Sequence, residues 1–243
     1  MKEMTITDHL EELRKHIIRI IIILGAGFAL SYAYSDQVSR ILLLPLQNAL
    51  NPQDKIIFLG ILDKMMVQFQ IAFWGGVLFT SPFWFREVWL FVKPALHSHE
   101  IKIIRPFMIV GFFLFISGVL FGYYIAFPLL FKILLQTGLT EVTASLNLRD
   151  YISLVLRTLV VLGLLFQLPN LIVILGFMGL VTKYSLRKMR GMIYVGLSVF
   201  AAIITPPDVI TMIGVLVPLI FLFEAGILIL AWVVHPYLEK KNS

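Results

Sequence analysis

VITMIGVLVPLIFLFEAGILILAWVV, residues 209–234, decides the class of fold. Its only charged residue is Glu224. A helix of this length extends for roughly 39 Å, which exceeds the hydrocarbon core of a bilayer, about 30 Å thick. Strands of a membrane barrel alternate apolar and polar residues, and this stretch does not. The stretch is therefore predicted to be a transmembrane helix.

Five more apolar runs, each bounded by charged residues, precede this one along the chain. They are Ile20–Ser35 (extended by Ile17 and Ile18), Met65–Phe85, Pro106–Phe131, Thr158–Thr182 and Gly191–Pro207. The fifth is short, because a helix over residues 192–204 covers only about 20 Å. We therefore predict an all-α membrane protein with six transmembrane helices, a short fifth helix and a single domain over residues 1–243.

The overall composition agrees with that prediction. Of the 243 residues, 59% are hydrophobic and 14% are charged, and the mean hydropathy is +0.93. An ordinary soluble domain has roughly 25% charged residues. The composition excludes a soluble enzyme, a disordered chain and a collagen-like fibre. The absence of cysteine excludes disulfides, a thiol nucleophile and cysteine-ligated metals. No phosphate-binding loop, nucleophile elbow or metal-binding histidine spacing is present, so we expect no catalytic site, metal or cofactor.

The segment before the first run has the pattern of an amphipathic helix rather than of a cleavable signal peptide. Thr7 or Asp8 is a candidate N-cap, and Glu11 and Glu12 follow in the first turn. The apolar positions recur at helical spacing, at Leu10, Leu13 and Ile17. We expect this helix to lie on the membrane surface before the chain enters the bilayer.

The distribution of Lys and Arg predicts the orientation. With six spans, 14 of the 20 basic residues fall on the side of the N-terminus, five fall on the opposite side, and Arg157 lies at the edge of the fourth run. Basic residues concentrate in cytoplasmic loops, so both termini are predicted to be cytoplasmic. The net charge of +6 is therefore a topology signal, and we expect no nucleic-acid partner.

A few polar groups fall within or at the ends of the apolar runs. Each charge near the bilayer centre costs roughly 2.5–3.5 kcal/mol on insertion scales, which makes it a candidate functional group. Glu224 must be protonated, paired or exposed to a wet cavity. Gln167 either serves a partner or satisfies the backbone distorted by Pro169. Arg157 either reaches the interface or has a function, and Asp208 is predicted to cap the sixth helix.

Three acids, Glu11, Glu12 and Glu100, lie on the basic cytoplasmic side. They are either solvated or paired with neighbours such as Arg14 and Lys102, or they form a recognition site. The residue types alone leave both readings open.

Six short motifs resemble the TatC family, the multispanning subunit of the twin-arginine protein translocase. They are HLEELR at 9–14, LPL at 44–46, EVWLFVKPAL at 87–96 with Glu100 just after it, FPL at 127–129, TPPDV at 205–209 and Phe223-Glu224. The motifs follow the family order across residues 6 to 237. Each motif alone is weak, but the ordered set is highly specific.

The resemblance implies a receptor in the cytoplasmic (inner) membrane that transports folded proteins using the proton-motive force. Its ligands would be signal peptides with two adjacent arginines. Its partners would be the single-span subunits TatA and TatB, membrane lipid and further copies of the chain in a receptor complex.

The family motifs also imply roles for particular residues. Glu12 and Glu100 would contact the arginines, and the site would be shaped by Arg14, Phe91 and Pro94. The intramembrane polar residues Gln167, Glu224 and Asp208 would serve partner docking or a polar cavity. Many family members have glutamate where this chain has Gln167, which cannot titrate.

Two other classes of function compete with this one. A secondary transporter or channel predicts paired ionisable groups along a path and often inverted repeats, and neither is visible here. A membrane scaffold that only assembles other subunits predicts no requirement for the cytoplasmic acids.

Overall fold

The computed structural model describes residues 6–50, 53–93, 98–136, 145–205 and 209–234. Within these ranges the chain is almost entirely helical, which confirms the predicted class. The helices are α1 Ile6–Ala33, α2 Ser35–Gln47, α3 Asp63–Phe79, α4 Ser81–Val92, α5 Ser98–Phe121, α6 Phe127–Gln136, α7 Leu148–Leu165, α8 Leu168–Phe177, α9 Lys183–Lys188, α10 Arg190–Ile204 and α11 Val209–Ile229. Two π-helical turns, Gly122–Ala126 and Leu230–Val234, follow α5 and α11, and two short strands are β1 Lys55–Ile57 and β2 Ser145–Asn147.

Four helical segments in the described part of the chain are long and apolar enough to cross a membrane. They are Glu11–Ala33, Pro106–Ile133, Leu148–Phe177 and Val209–Val234. Helix α10 is apolar but has only 15 residues, or about 22 Å, which confirms the short helix predicted for the fifth run. The predicted six spans therefore match four long helices, the short α10 and a second run that is divided.

The division of the second run occurs at Thr80. Helix α3 ends at Phe79 and α4 begins at Ser81, with Pro82 in its first turn. The Thr80 hydroxyl donates a hydrogen bond to the carbonyl of Gly76 over 2.7 Å, and the Thr80 N–H reaches the same oxygen over 3.0 Å. The second apolar run is therefore divided into two helices, with Thr80 between them.

Two boundaries differ from those expected. The N-terminal amphipathic segment and the first apolar run form one continuous helix, α1, because no helix-breaking residue separates them. Helix α7 begins at Leu148, ten residues before the apolar run at Thr158. The apolar run is bounded by the charged residue Arg157. The helix itself continues through this exposed arginine, because the side chain does not interrupt the backbone hydrogen bonds.

The described residues divide into two compact units. The first lies within Met1–Leu44, Asn51–Phe112 and Thr143–Val160, and the second within Pro45–Leu50, Phe113–Val142 and Val161–Ser243. The single domain expected from the sequence stays a prediction.

In the first unit, α1 and α3 approach closely at glycines. A Cβ added to Gly76 would lie 2.8 Å from the backbone nitrogen of Phe28 and 2.9 Å from the carbonyl carbon of Gly27. One turn away, the buried Ser31 hydroxyl donates to the carbonyl of Ile71 over 3.0 Å. Small residues let the two backbones touch, as expected for helices that cannot gain from hydrophobic burial in lipid.

A small parallel sheet closes one end of the first unit. Strand β1 pairs with β2 so that Lys55 lies opposite Ser145 and Ile57 opposite Asn147. Beside the sheet, Asp63 accepts hydrogen bonds from the N–H of Gly60 (2.7 Å) and Leu59 (3.2 Å). The Arg149 guanidinium lies 3.1 Å from the same carboxylate.

These contacts of Asp63 also set its charge state. The hydrogen bond from Gly60 is the largest influence, and with Arg149 it outweighs desolvation and lowers the pKa of Asp63 below the usual 3.8. The ionised carboxylate therefore ties the start of α3 to the start of α7.

The second unit is built around α8 and α11. A Cβ added to Gly226 would lie 3.0 Å from the Cα of Pro169. The buried apolar side chains of these two helices include Ile172, Val173, Val215, Leu219, Phe223 and Ile227. The backbones again meet at glycine, and large side chains fill the space on either side.

The order of six spans with both termini inside stays a prediction, and we test it with reporter fusions. Fusions after Lys64 and Arg149 should report the outside, and fusions after Lys93 and Lys188 the inside, because of the bias in basic residues. Asp63 contacts Arg149, so the first two fusions must report the same side. Opposite results for that pair, or an outside signal at Lys93, would contradict the six-span order.

Candidate functional site

Five residues of α1 and α4 form the group that we call the α1–α4 cluster: Glu12, His16, Arg19, Glu87 and Phe91. Within each helix they are three or four residues apart, so they share one helical face. All five lie in the first unit.

Glu87 is the centre of this cluster. Its side chain is only 6% exposed, and His16 Nδ1 donates a hydrogen bond to its carboxylate over 2.8 Å. Arg19 Nη1 lies 3.5 Å from the same oxygen, and Arg86 Nη1 lies 3.7 Å from the other one. A buried carboxylate with these partners joins α4 to α1.

The protonation state of Glu87 follows from the balance between burial and its partners. Burial raises the pKa of Glu87, but the hydrogen bond from His16 and the positive charge of Arg19 outweigh burial, so its pKa lies below the ordinary 4.5. Glu87 is therefore ionised at neutral pH, and it holds the side chains of His16 and Arg19 on α1 close to α4.

Glu12 is in the opposite situation. The residue is half-buried, and its Oε2 atom is buried and makes no hydrogen bond. The neighbouring acid Glu11 is exposed and pairs with Lys15, whose Nζ lies 2.9 Å from Glu11 Oε1. Buried polar atoms are almost always hydrogen-bonded in folded proteins, so an unpaired carboxylate oxygen points to a missing partner.

The structure describes the side chains of only some of the other residues expected at this site. Phe91 is half-buried, and its ring meets the ring of His16 edge-on, with centroids 6.4 Å apart. Arg14 is exposed on α1. The backbone of Glu100 belongs to α5, but its side chain, like the whole of Pro94, lies outside the described residues.

Among the intramembrane polar residues, Glu224 is paired. Its carboxylate accepts hydrogen bonds from the Arg190 guanidinium and from the Tyr194 hydroxyl, the latter over 2.7 Å. The side chains of Arg190 and Glu224 are 42% and 28% exposed. Of the three possibilities that the sequence left open, the structure selects pairing, and the pair joins α11 to the first turn of α10.

Gln167 lies at the non-helical step between α7 and α8. Its side-chain oxygen accepts a hydrogen bond from Asn170 Nδ2 over 3.4 Å, and its backbone carbonyl accepts from the N–H of Leu171 over 2.9 Å. Asn170 Oδ1 is buried without a hydrogen-bond partner. The side-chain amides of Gln167 and Asn170 therefore contact each other at the step between α7 and α8. Asp208 lies outside the described residues.

Sequence reasoning missed most of the partners in these groups. It did not single out His16, Arg19, Arg190, Tyr194 or Asn170, and it used Glu87 only as a boundary and as part of a motif. The available signal was helical spacing: His16 follows Glu12 by four residues, and Arg19 follows His16 by three. Spacing identifies a shared face but not the helix that packs against it.

The described residues contain no group of three or more His, Cys, Asp or Glu side chains placed to hold a metal ion. They do contain a set of charged pairs that tie helices together. They also contain five buried side-chain atoms without a hydrogen-bond partner, which belong to Glu12, Gln70, Ser81, Asn170 and Arg190. Together with the membrane-length helices, this arrangement defines a polytopic membrane protein whose polar groups hold helices together and are suited to recognition.

Comparison with known proteins identifies the family. The family model described as TatC, Sec-independent protein translocase protein, matches residues 8–218. A curated protein of that description from Desulforapulum autotrophicum is 33% identical over 222 residues, covering 91% of this chain and 82% of that protein. The counterpart from Escherichia coli strain K12 is 30% identical over 219 residues, with coverages of 90% and 85%.

The fold matches a solved structure of the same family. The crystal structure titled Twin Arginine Translocase Receptor-TatC superposes with a TM-score of 0.81 at 32% sequence identity, covering 92% of this chain and 98% of that one. The chain therefore belongs to the TatC family. It is a multi-pass membrane component of a protein translocase rather than an enzyme, which confirms the resemblance read from its motifs.

The Glu224 pair yields a stability prediction. Replacing Arg190 with Met leaves the half-buried carboxylate without its cation, so we expect a loss of about 1–2 kcal/mol, reduced from the fully buried value because both side chains are partly solvated. The measurement is the thermal unfolding midpoint in detergent. Arg187→Met, at an exposed position on α9, is the matched control and should leave the midpoint nearly unchanged.

A double-mutant cycle makes that test specific. In the Glu224→Gln background, Arg190→Met should cost much less than in the wild type, because no carboxylate is left unpaired. Equal losses in both backgrounds would show that Arg190 stabilises the fold without acting through Glu224.

Proposed function

We propose that the chain is the receptor subunit that binds twin-arginine signal peptides of folded precursor proteins. Glu12 and Glu100 are the contacts for the two arginines, and Arg14, Phe91 and Pro94 shape the site. The single observation that carries this proposal is the buried Oε2 atom of Glu12, which makes no hydrogen bond.

The chemistry of Glu12 favours a guanidinium as the missing partner. An arginine offers parallel N–H donors that match the two oxygens of a carboxylate, and a lysine offers only a compact point charge. Lys15 and His16, three and four residues after Glu12 on the same helix, pair with Glu11 and Glu87 instead, which leaves a positive charge to be supplied by a ligand. Two carboxylates, from α1 and from the first turn of α5, would hold two adjacent arginines in register.

The same proposal names the partners. TatA and TatB, the single-span subunits, assemble with this chain in the bilayer, and several copies of the chain associate in the receptor complex. The assembly exports folded proteins across the inner membrane using the proton-motive force. Family membership supports an association with translocase components, and the particular subunits are part of the proposal.

A binding measurement tests the role of Glu12 and Glu100. The purified chain in detergent is titrated with a fluorescent peptide that carries two adjacent arginines, and with its twin-lysine version. Glu12→Gln and Glu100→Gln should each weaken binding of the twin-arginine peptide at least about tenfold, because each removes a charge-assisted contact worth roughly 1.5–3 kcal/mol. The twin-lysine peptide should lose much less.

The control is Asp36→Asn, which removes one negative charge at an exposed position on α2. It should change neither peptide's affinity. If the Glu12 and Glu100 variants lose affinity equally for both peptides, or lose thermal stability without losing affinity, the acids have only a structural role. A scaffold without receptor function predicts that no variant changes binding.

We propose further that the amides at the α7–α8 step serve partner docking, together with Glu224 and Asp208. Asn170 Oδ1 is a buried acceptor without a donor, and Gln167 is only half-buried beside it. A hydrogen bond from a neighbouring transmembrane helix would satisfy Asn170 Oδ1, as polar side chains do between membrane helices.

Substitution of Gln167 tests this docking role. Gln167→Leu removes the polar group and should reduce co-purification of the single-span subunits and export of a twin-arginine substrate. Gln167→Glu should be tolerated, because it retains acceptor oxygens and many family members have glutamate there. Normal export and assembly by Gln167→Leu would assign the amide to the backbone step alone.

A further inference from the structure

The buried Oε2 atom of Glu12, which has no hydrogen-bond partner among the described residues, requires an explanation, because its own helix supplies two suitable cations. On a helix, a carboxylate normally pairs with a basic residue three or four positions later. Lys15 and His16 occupy those two positions relative to Glu12. Neither residue donates a hydrogen bond to the buried Oε2 atom of Glu12.

Both cations are engaged by other carboxylates. Lys15 pairs with the exposed Glu11 one turn earlier. His16 donates to Glu87 on α4 over 2.8 Å, and its side chain is only 13% exposed. The ring of Phe91 meets the imidazole edge-on, with ring centroids 6.4 Å apart. The imidazole is therefore fixed against α4.

The two engagements differ in strength. The pair of Lys15 and Glu11 is solvated, with side chains 62% and 65% exposed, and such surface pairs contribute little. The pair of His16 and Glu87 is buried, and a carboxylate removed from water interacts strongly with the donors that satisfy it. Glu87 is thus the group that determines where the His16 imidazole lies.

We infer that Glu87 is a positioning residue for the arginine-binding carboxylate, Glu12. Because Glu87 holds the His16 imidazole against α4, the imidazole does not pair with Glu12, which can then receive a guanidinium. This inference rests on the proposed function, since it assigns a role to Glu87 at the same site. With Gln in place of Glu87, the imidazole keeps only a neutral amide acceptor on α4, and it turns along α1 to the charged carboxylate of Glu12, one helical turn away. The chain then occupies its own ligand site.

The inference predicts a loss of peptide binding that a second substitution repairs. Glu87→Gln should weaken binding of the twin-arginine peptide about tenfold, because His16 then competes for Glu12. Adding His16→Gln should restore affinity to within about threefold of wild type, since the competitor is gone. Binding of the fluorescent peptide in detergent is the measurement for all variants.

A matched control separates competition from a general effect of charge. Arg19 also lies beside Glu87, at 3.5 Å, but it is seven residues from Glu12. Glu87→Gln combined with Arg19→Gln removes a cation of the same cluster and should not restore binding. Equal rescue by Arg19→Gln would overturn the inference, because it would show that only the net charge matters.

The remaining outcomes are also decisive. If Glu87 contacts the peptide itself or is needed only for packing, the Glu87→Gln, His16→Gln double variant binds no better than the single variant. If the Glu87→Gln variant does not fold, the double variant is compared directly with the wild type. We expect the double variant to fold, because glutamine at both positions leaves no buried charge unpaired. Loss without rescue overturns only this inference, whereas unchanged binding by Glu12→Gln overturns the proposed function and this inference together.

Discussion

A carboxylate that is removed from water needs a cation or a set of hydrogen-bond donors, and this requirement organises the helices of the chain. Glu87 joins α4 to α1 through His16, Asp63 joins α3 to the start of α7 through Arg149, and Glu224 joins α11 to α10 through Arg190. The pairs of Glu87 and Asp63 join residues that are 71 and 86 positions apart, whereas the Glu224 pair joins two consecutive helices. Where apolar packing does not distinguish one helix partner from another in lipid, such pairs do.

The same requirement gives meaning to the polar atoms that lack partners. Glu12 Oε2 and Asn170 Oδ1 are buried without a hydrogen-bond donor, whereas the carboxylates of Asp63, Glu87 and Glu224 are paired. One belongs to the α1–α4 cluster of the first unit, and the other lies at a helix step of the second unit. Neither oxygen has a hydrogen-bond donor among the described residues. In a component of a protein translocase, groups of this kind are suited to intermolecular contacts.

The sequence predicted what depends on local composition. The long apolar runs gave the helices of the membrane class, and the run of 17 residues from Gly191 gave the short α10, because the length needed to cross lipid is a property of each segment alone. The site was predicted only in part. Glu12 and Phe91 were identified through motifs, but the pairing of His16 with Glu87 was not, since it depends on which helices are adjacent. Glu224 was left with three possible states for the same reason.

The small sheet has a consequence for the synthesis of the chain. Lys55 pairs with Ser145, so β1 cannot form its backbone hydrogen bonds until 90 further residues have been translated. At roughly 5–20 residues per second, β1 is without its pairing strand β2 for at least about four seconds of translation. The Arg149 contact with Asp63 and the bond from the Tyr151 hydroxyl to the Leu42 carbonyl must wait as long. This end of the first unit is therefore completed only after α3, α4, α5 and α6 have been made, and a nascent chain that stops before residue 145 lacks every one of these ties.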